Sequence, residues 1–264
     1  MENFNYEYSH DSDRKLFLEL AHSFNTKPHF HRSTELLYVL SGNMLANINA
    51  ESTLLSSDDI VFVHGYAKHS FLPKEDYDKF VLIVPSNYAD DFDNLTQNQT
   101  LQPILSDKEF NKNNILPLIK KMFDERETMP HLVQKGYINI IFGSLFNHYP
   151  SQPLTFEGNM ELLVSVLQYI DQNYYSPLSL DSLATTFGYS KYHFSKLFNK
   201  YVGENINNYI NMVRLQHFTR LLKKDEHAHI ATLAFDCGFD SLTTFYRYYN
   251  KLYDNTPKNL LSSL

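Results

Sequence analysis

Ser179-Leu180-Asp181-Ser182-Leu183-Ala184-Thr185-Thr186-Phe187-Gly188-Tyr189-Ser190-Lys191-Tyr192-His193-Phe194-Ser195-Lys196-Leu197-Phe198-Asn199-Lys200 is the stretch whose reading decides the fold. Ser179 and Ser190 stand where N-caps belong, each just ahead of a run with helical period. Leu180, Leu183, Ala184 and Phe187 share one helical face, and Phe194, Leu197 and Phe198 form the matching stripe of the second run. Two such stripes can seal one small core. Ala184 is small enough for close approach, and Gly188 supplies positive φ where the chain turns. Lys191, Tyr192, Ser195, Lys196, Asn199 and Lys200 are left facing outward.

The pattern returns at Ile230-Ala231-Thr232-Leu233-Ala234-Phe235-Asp236-Cys237-Gly238-Phe239, followed by Asp240 to Lys251 and closed by Pro257. Ala234 and Gly238 repeat the spacing of Ala184 and Gly188. Between the copies, Ile206, Tyr209, Ile210, Val213, Phe218, Leu221 and Leu222 mark a long helix, which would act as a rigid spacer.

Over residues 178–258 the chain resembles the AraC/XylS (arabinose-regulator) family of transcription factors. The resemblance rests on the alanine-to-glycine spacing in both copies, Gly203, Arg214-Leu215 with Leu221-Leu222, Cys237-Gly238-Phe239, Phe245 and Thr256-Pro257. It implies two helix-turn-helix motifs, each placing a recognition helix in the major groove of double-stranded DNA. In the first helix, Tyr192, Ser195 and Lys196 are expected at base edges or thymine methyls, with Lys191, Asn199 and Lys200 nearer phosphates. In the second, Thr243, Thr244 and Arg247 are the expected base readers, with Ser241 and Lys251 on phosphates. Any one of these could equally be a plain surface residue.

The whole chain has 264 residues, enough for two ordinary domains, with 20 Phe and 19 Tyr as core material. Its net charge of −7 is confined to one half: residues 1–154 hold 13 Lys/Arg against 20 Asp/Glu, and residues 155–264 hold 10 against 10. The C-terminal half is thus neutral, and only modest nonspecific DNA affinity is expected. Met1 to Glu7 lacks the pattern of a secretory signal and no apolar run is long enough for a membrane, so a cytoplasmic protein without a membrane partner is expected. The single Cys237 reads as a buried structural thiol.

The N-terminal part begins with an arm and a first strand, where Phe4, Tyr6, Tyr8, Phe17 and Leu18 can pack. Strand-like runs follow at 36–40, 44–48, 60–63 and 80–84, separated by turn residues, suggesting an antiparallel barrel or jelly roll. His29, His31, Glu35 and Gly42 have the spacing of a first cupin motif, and His69 sits where the second motif places its histidine; Ser23 and Asp58 stand where these motifs often have glycine. His29, His31, Glu35 and His69 could hold a divalent metal, or could, with Tyr38, line and brace a small-molecule pocket. No cofactor is otherwise required. The family resemblance favours an effector pocket, with a carbohydrate as the guess for its occupant.

Residues 110–149 return to helical period. Ile115, Leu118, Ile119, Met122 and Phe123 form one stripe, and Val133, Tyr137, Ile140, Ile141 and Leu145 another. These helices would cover the barrel or, as the family implies, form a homodimer interface. Pro150-Ser151-Gln152-Pro153 reads as the start of a linker.

The expected fold class is therefore α+β: a cupin-like antiparallel β-barrel with two following helices, then an all-α domain with two helix-turn-helix motifs. The expected domains are 1–149 (effector sensing and dimerisation), 150–158 (linker) and 159–264 (DNA binding). The expected function is a ligand-responsive, sequence-specific DNA-binding transcriptional regulator, not an enzyme, contacting RNA polymerase if it activates. The competing reading is a cupin metalloenzyme fused to a DNA-binding module.

Overall fold

A computed structural model describes residues 5–7, 16–49, 51–88, 92, 96, 99–156, 158–225, 227–253 and 256–257. Phe4 and Tyr8 of the expected arm lie outside the described residues. The chain divides into two compact units, Met1–Phe156, which is rich in sheet, and Glu157–Leu264, which is helical.

The first unit holds β1 (Asn5–Tyr6), β2 (Phe17–His22), β3 (His29–Phe30), β4 (Thr34–Ser41), β5 (Met44–Ile48), β6 (Glu51–Leu55), β7 (Ile60–Val63), β8 (His69–Pro73), β9 (Asp78–Val84), β10 (Gln99–Leu101), β11 (Ile104–Leu105) and β12 (Ser151–Pro153). One five-stranded sheet runs β1-β3-β8-β5-β6 and another β11-β7-β4-β9-β2, so the strands form two sheets rather than one closed ring. Pairing in both is antiparallel except β1 with β3. Alternation along β4 explains the layering. Leu37 and Val39 point between the sheets, where Met44, Ala46, Phe71 and Tyr77 meet them, while Leu36 and Tyr38 point the other way.

That second face is covered by α1 (Lys108–Phe110), a π-helical turn (Asn111–Ile115), α2 (Leu116–Asp124) and α3 (His131–His148). Asn111, fully buried in the turn, donates to the carbonyls of Asp58 (2.9 Å) and Leu105 (2.8 Å) and accepts from the Tyr149 hydroxyl (2.8 Å). These bonds pin the helices to the sheet. α3 buries Ile138, Ile141, Phe142 and Leu145, which corrects the expected stripe: Val133 and Ile140 are exposed. Apolar and polar residues are spread around α3 rather than gathered on opposite sides, so its period alone could not choose which side faces inward.

The expected linker is also partly structured. Ser151–Pro153 pairs antiparallel with Gln99–Leu101, so the prolines end α3 without releasing the backbone from the sheet unit.

The second unit comprises α4 (Asn159–Gln172), α5 (Leu180–Thr186), α6 (Lys191–Val202), α7 (Ile206–Lys224), α8 (Ile230–Asp236) and α9 (Leu242–Leu252). Ser179, Ser190, Asn205 and Ser241 cap α5, α6, α7 and α9 with their side chains, each accepting a backbone N–H of the first turn. α7 is not an exposed rod. Its Leu215, Phe218 and Leu222 pack with Ala234, Cys237, Phe239, Phe245 and Tyr249, and its Tyr209 meets Phe198 of α6 edge to face at 5.5 Å. Cys237 is fully buried, as expected. No helix among the described residues is long and apolar enough to cross a membrane.

Candidate functional site

α6 and α9 are each split lengthwise by their period. α6 buries Phe194, Leu197, Phe198 and Val202, and exposes Lys191, Tyr192, Lys196, Asn199 and Lys200, with Ser195 half-buried. Tyr192 is 78% exposed, an unusual position for a tyrosine with no protein surface to cover. α9 buries Phe245, Tyr248 and Tyr249, and exposes Thr243, Arg247 and Lys251. The Arg247 guanidinium lies 5.1 Å from the Tyr248 ring, a cation–π contact that orients it.

Three expected contacts have other duties. Lys191 Nζ donates to Asp181 at 2.8 Å, so part of its charge is already balanced, although an exposed pair of this kind is weak. Ser241 Oγ caps α9 by accepting the Thr244 N–H (3.2 Å), and donates to Thr244 Oγ1 (3.1 Å). Ser241 and the half-buried Thr244 therefore set the start of α9, leaving Thr243 and Arg247 as its outermost polar groups near that end. Tyr246 and Asn250 are exposed on the same stripe, and His193 is exposed on α6. The sequence reading missed all three, although positions 243, 246, 247 and 250 follow the i, i+3, i+4, i+7 rule that picked out the buried face.

In the sheet unit, the structure brings His29, His31, Glu35 and His69 together, with one ligand-type atom from each within 4.8 Å of all the others. β3 places His29 directly opposite His69 of β8, and β4 supplies Glu35 from the facing sheet. His31, Glu35 and His69 are buried. Burial alone would raise the Glu35 pKa, but hydrogen bonds with His31 and His69 hold its carboxyl well below the usual range. Burial, with His69 close by, pushes His29 down to about 4.

Tyr38 is not part of this group. As an even-numbered residue of β4 it faces the helices, and its hydroxyl donates to Asp58 at 2.7 Å, so its assignment to the pocket is corrected. Lys79 does face the interior. It is 2% exposed, with its ammonium 4.8 Å from the Phe71 ring and 5.4 Å from the Tyr77 ring. Burial pushes its pKa down to about 8 against the pull of Glu35. The alternation Lys79, Val81, Ile83 could have revealed this residue, but the sequence reading began that strand at Phe80.

A helix-turn-helix domain model matches residues 183–263. The multiple antibiotic resistance protein MarA of Escherichia coli (strain K12) is 33% identical over 93 residues, covering 35% of this chain and 72% of MarA. The regulatory protein SoxS of the same strain is 28% identical over 102 residues, covering 39% of this chain and 94% of SoxS. Among solved structures, ToxT from Vibrio cholerae is similar over 94% of this chain and 98% of its own, with 13% identity and a TM-score of 0.44. SoxS is by name a regulatory protein, and nothing among these relatives supports the metalloenzyme alternative.

Proposed function

Because this chain belongs to the AraC/XylS family of transcriptional regulators, we propose that it grips duplex DNA with α6 and α9 as the recognition helices of two helix-turn-helix motifs, while the sheet unit senses a small molecule. The observation that carries the DNA reading is the pair of capped helices, each with an apolar stripe sealed in the core and a polar stripe in solvent. α7, 19 residues long, spans about 28 Å at 1.5 Å per residue. That suits two helices entering major-groove segments about 34 Å apart.

Arg247 and Thr243 are the proposed base readers of α9. Tyr192 and Lys196 take that role on α6, with Ser195 beside them, and Lys191, Asn199, Lys200 and Lys251 steady the phosphates. Arg247→Ala is expected to weaken binding to the preferred site by about 1–3 kcal/mol while leaving nonspecific DNA nearly unchanged. Fluorescence anisotropy on both duplexes checks this. Equal losses on both would make Arg247 a phosphate contact.

The sensing reading is supported by a buried ammonium, Lys79, held between the sheets above two aromatic rings. It favours an effector bearing a negative group over the neutral carbohydrate considered above. A cupin-like ancestry of this unit is supported by Ser23 (φ 27) and Asp58 (φ 68), which keep the left-handed backbone where the cupin motifs often have glycine. The effector must bind one arrangement of the protein better than another if it is to alter DNA binding. An effector bound tightly with no change in DNA affinity or transcription would remove the sensing role.

For the homodimer, α3 offers an uncharged exposed face of Leu132, Val133, Gly136, Ile140 and Gly143, with Leu132 79% and Ile140 53% exposed. Leu132→Glu with Ile140→Glu is expected to shift the solution mass to that of a monomer and to weaken binding to a paired site by at least about tenfold. A mass unaltered by both glutamates would move the interface elsewhere.

A further inference from the structure

α6 and α9 are joined to α7 by different means. α6 ends at Gly203, φ +76, whose N–H donates to the Asn199 carbonyl at 3.0 Å, and only Glu204 and the cap Asn205 then separate it from the first residue of α7. α9 instead shares an apolar core with α7, in which Phe245, Tyr248 and Tyr249 meet Leu215, Phe218 and Leu222. Apolar burial is non-directional, so by itself it sets the rotation of α9 only loosely.

One directional chain crosses from α9 to the α6–α7 junction. The Tyr248 hydroxyl donates to Asn208 Oδ1 at 2.7 Å, and Asn208 Nδ2 donates to Glu204 Oε2 at 2.9 Å. A carboxylate only accepts, so the amide must turn its NH2 to Glu204 and its oxygen to Tyr248, which leaves the tyrosine as donor. Asn208 is held from a third side, because its backbone N–H donates to the Asn205 side chain at 2.9 Å. Each group in the chain thus has one orientation. At the other end the Tyr248 ring lies 5.1 Å from the Arg247 guanidinium. A buried tyrosine needs some partner for its hydroxyl; this one finds it at the point where the other recognition helix is attached.

From this chain we propose that Tyr248 is a positioning residue for DNA recognition. Through Asn208 and Glu204 it locks the rotation of α9 to the end of α6, so that the base readers of both helices meet the duplex at one fixed separation. The proposal rests on α6 and α9 being the recognition helices and deepens that reading by naming what sets its spacing specificity. α7 fixes where the second helix pair is attached, and the hydroxyl–amide bond fixes how that pair is turned. The apolar core holds without the hydroxyl, so the effect belongs in spacing rather than in folding.

The test uses the full-length chain. The parent selects its preferred duplex from a random-sequence library, and hydroxyl-radical footprinting locates the two protected segments. Fluorescence anisotropy then gives affinities for that duplex and for versions with one base pair added or removed between the segments. The parent is expected to bind the altered duplexes about tenfold more weakly or worse, as for a mismatched position. Tyr248→Phe removes the hydroxyl and keeps the ring beside Arg247, and should shrink that ratio by about three- to tenfold, the worth of one hydrogen bond. Asn208→Leu should shrink it equally, and the double variant no further, because both break one chain. Glu204→Gln, which still accepts, should retain most of the ratio, whereas Glu204→Ala should not. A ratio unchanged in both Tyr248→Phe and Asn208→Leu, with affinity lowered alike on every duplex, makes Tyr248 a plain core residue and overturns the proposal. A parent indifferent to spacing overturns it too, while leaving DNA binding itself standing. A parent that selects no duplex removes the recognition-helix reading, and the proposal with it.

Discussion

Gly238→Ala is expected to destabilise the helical unit by about 2–5 kcal/mol and to abolish DNA binding at ordinary temperature. Two costs add. Gly238 has φ +88, a backbone that an L-residue adopts at about 1–2 kcal/mol. A Cβ there would also lie 2.6 Å from the Tyr174 carbonyl oxygen and 2.9 Å from Arg214 Nε, an overlap of the kind that costs about 1–3 kcal/mol. Gly188, at the matching point of the first helix pair, separates the two effects. Its φ is +73, but a Cβ would meet nothing within 4 Å, so Gly188→Ala should cost only the backbone part, about 1–2 kcal/mol. Urea unfolding followed by circular dichroism measures both. Equal losses at the two glycines would mean that the contact with Tyr174 and Arg214 is not a tight one.

The second large effect is expected at Arg214, the neighbour that Gly238 accommodates. Arg214 is 3% exposed, and its Nε and Nη2 donate to the carbonyls of Tyr174 (2.9 Å) and Ser176 (2.8 Å). It thereby ties the turn after α4 to the middle of α7. Arg214→Met keeps most of the stem but removes a charged donor from both carbonyls, at about 1–3 kcal/mol for a buried group left unpaired. The Ser176 carbonyl keeps the Leu178 N–H at 2.7 Å, which offsets part of its loss, so about 2–4 kcal/mol in total is expected. A methionine variant within about 0.5 kcal/mol of the parent would contradict this account. Since Gly238 and Arg214 converge on the Tyr174 carbonyl, the double variant should lose less than the sum of the single ones.

These two positions also show where sequence reading stops. Gly238 was identified from its place after Ala234, as the residue that lets the chain turn, and its positive φ agrees. That a carbonyl some sixty residues earlier leaves no room for a methyl group there is a fact of packing between distant segments. Arg214 was noticed only as part of a family pattern. On period alone it is one more polar residue on a helix, and its burial depends on which turn lies against it.

The local chemistry of the helical unit was legible in the chain itself. The caps Ser179 and Ser190, glycines at left-handed turns and apolar stripes at helical spacing act within a few residues of one another, so they marked α5, α6, α8 and α9 and the outward faces of α6 and α9. Spacing likewise placed His29 and His31 on one side of a strand. Tertiary structure alone decided the rest: that His69 and Glu35 close the group from two different sheets, that Tyr38 turns away from it, that Lys79 enters the interior, and that α3 leaves Leu132 and Ile140 in solvent. The physical reason is the same in each case. Period gives the relative side of a side chain on its own element, whereas which side is buried depends on what packs there, and that is set by residues far away in the chain.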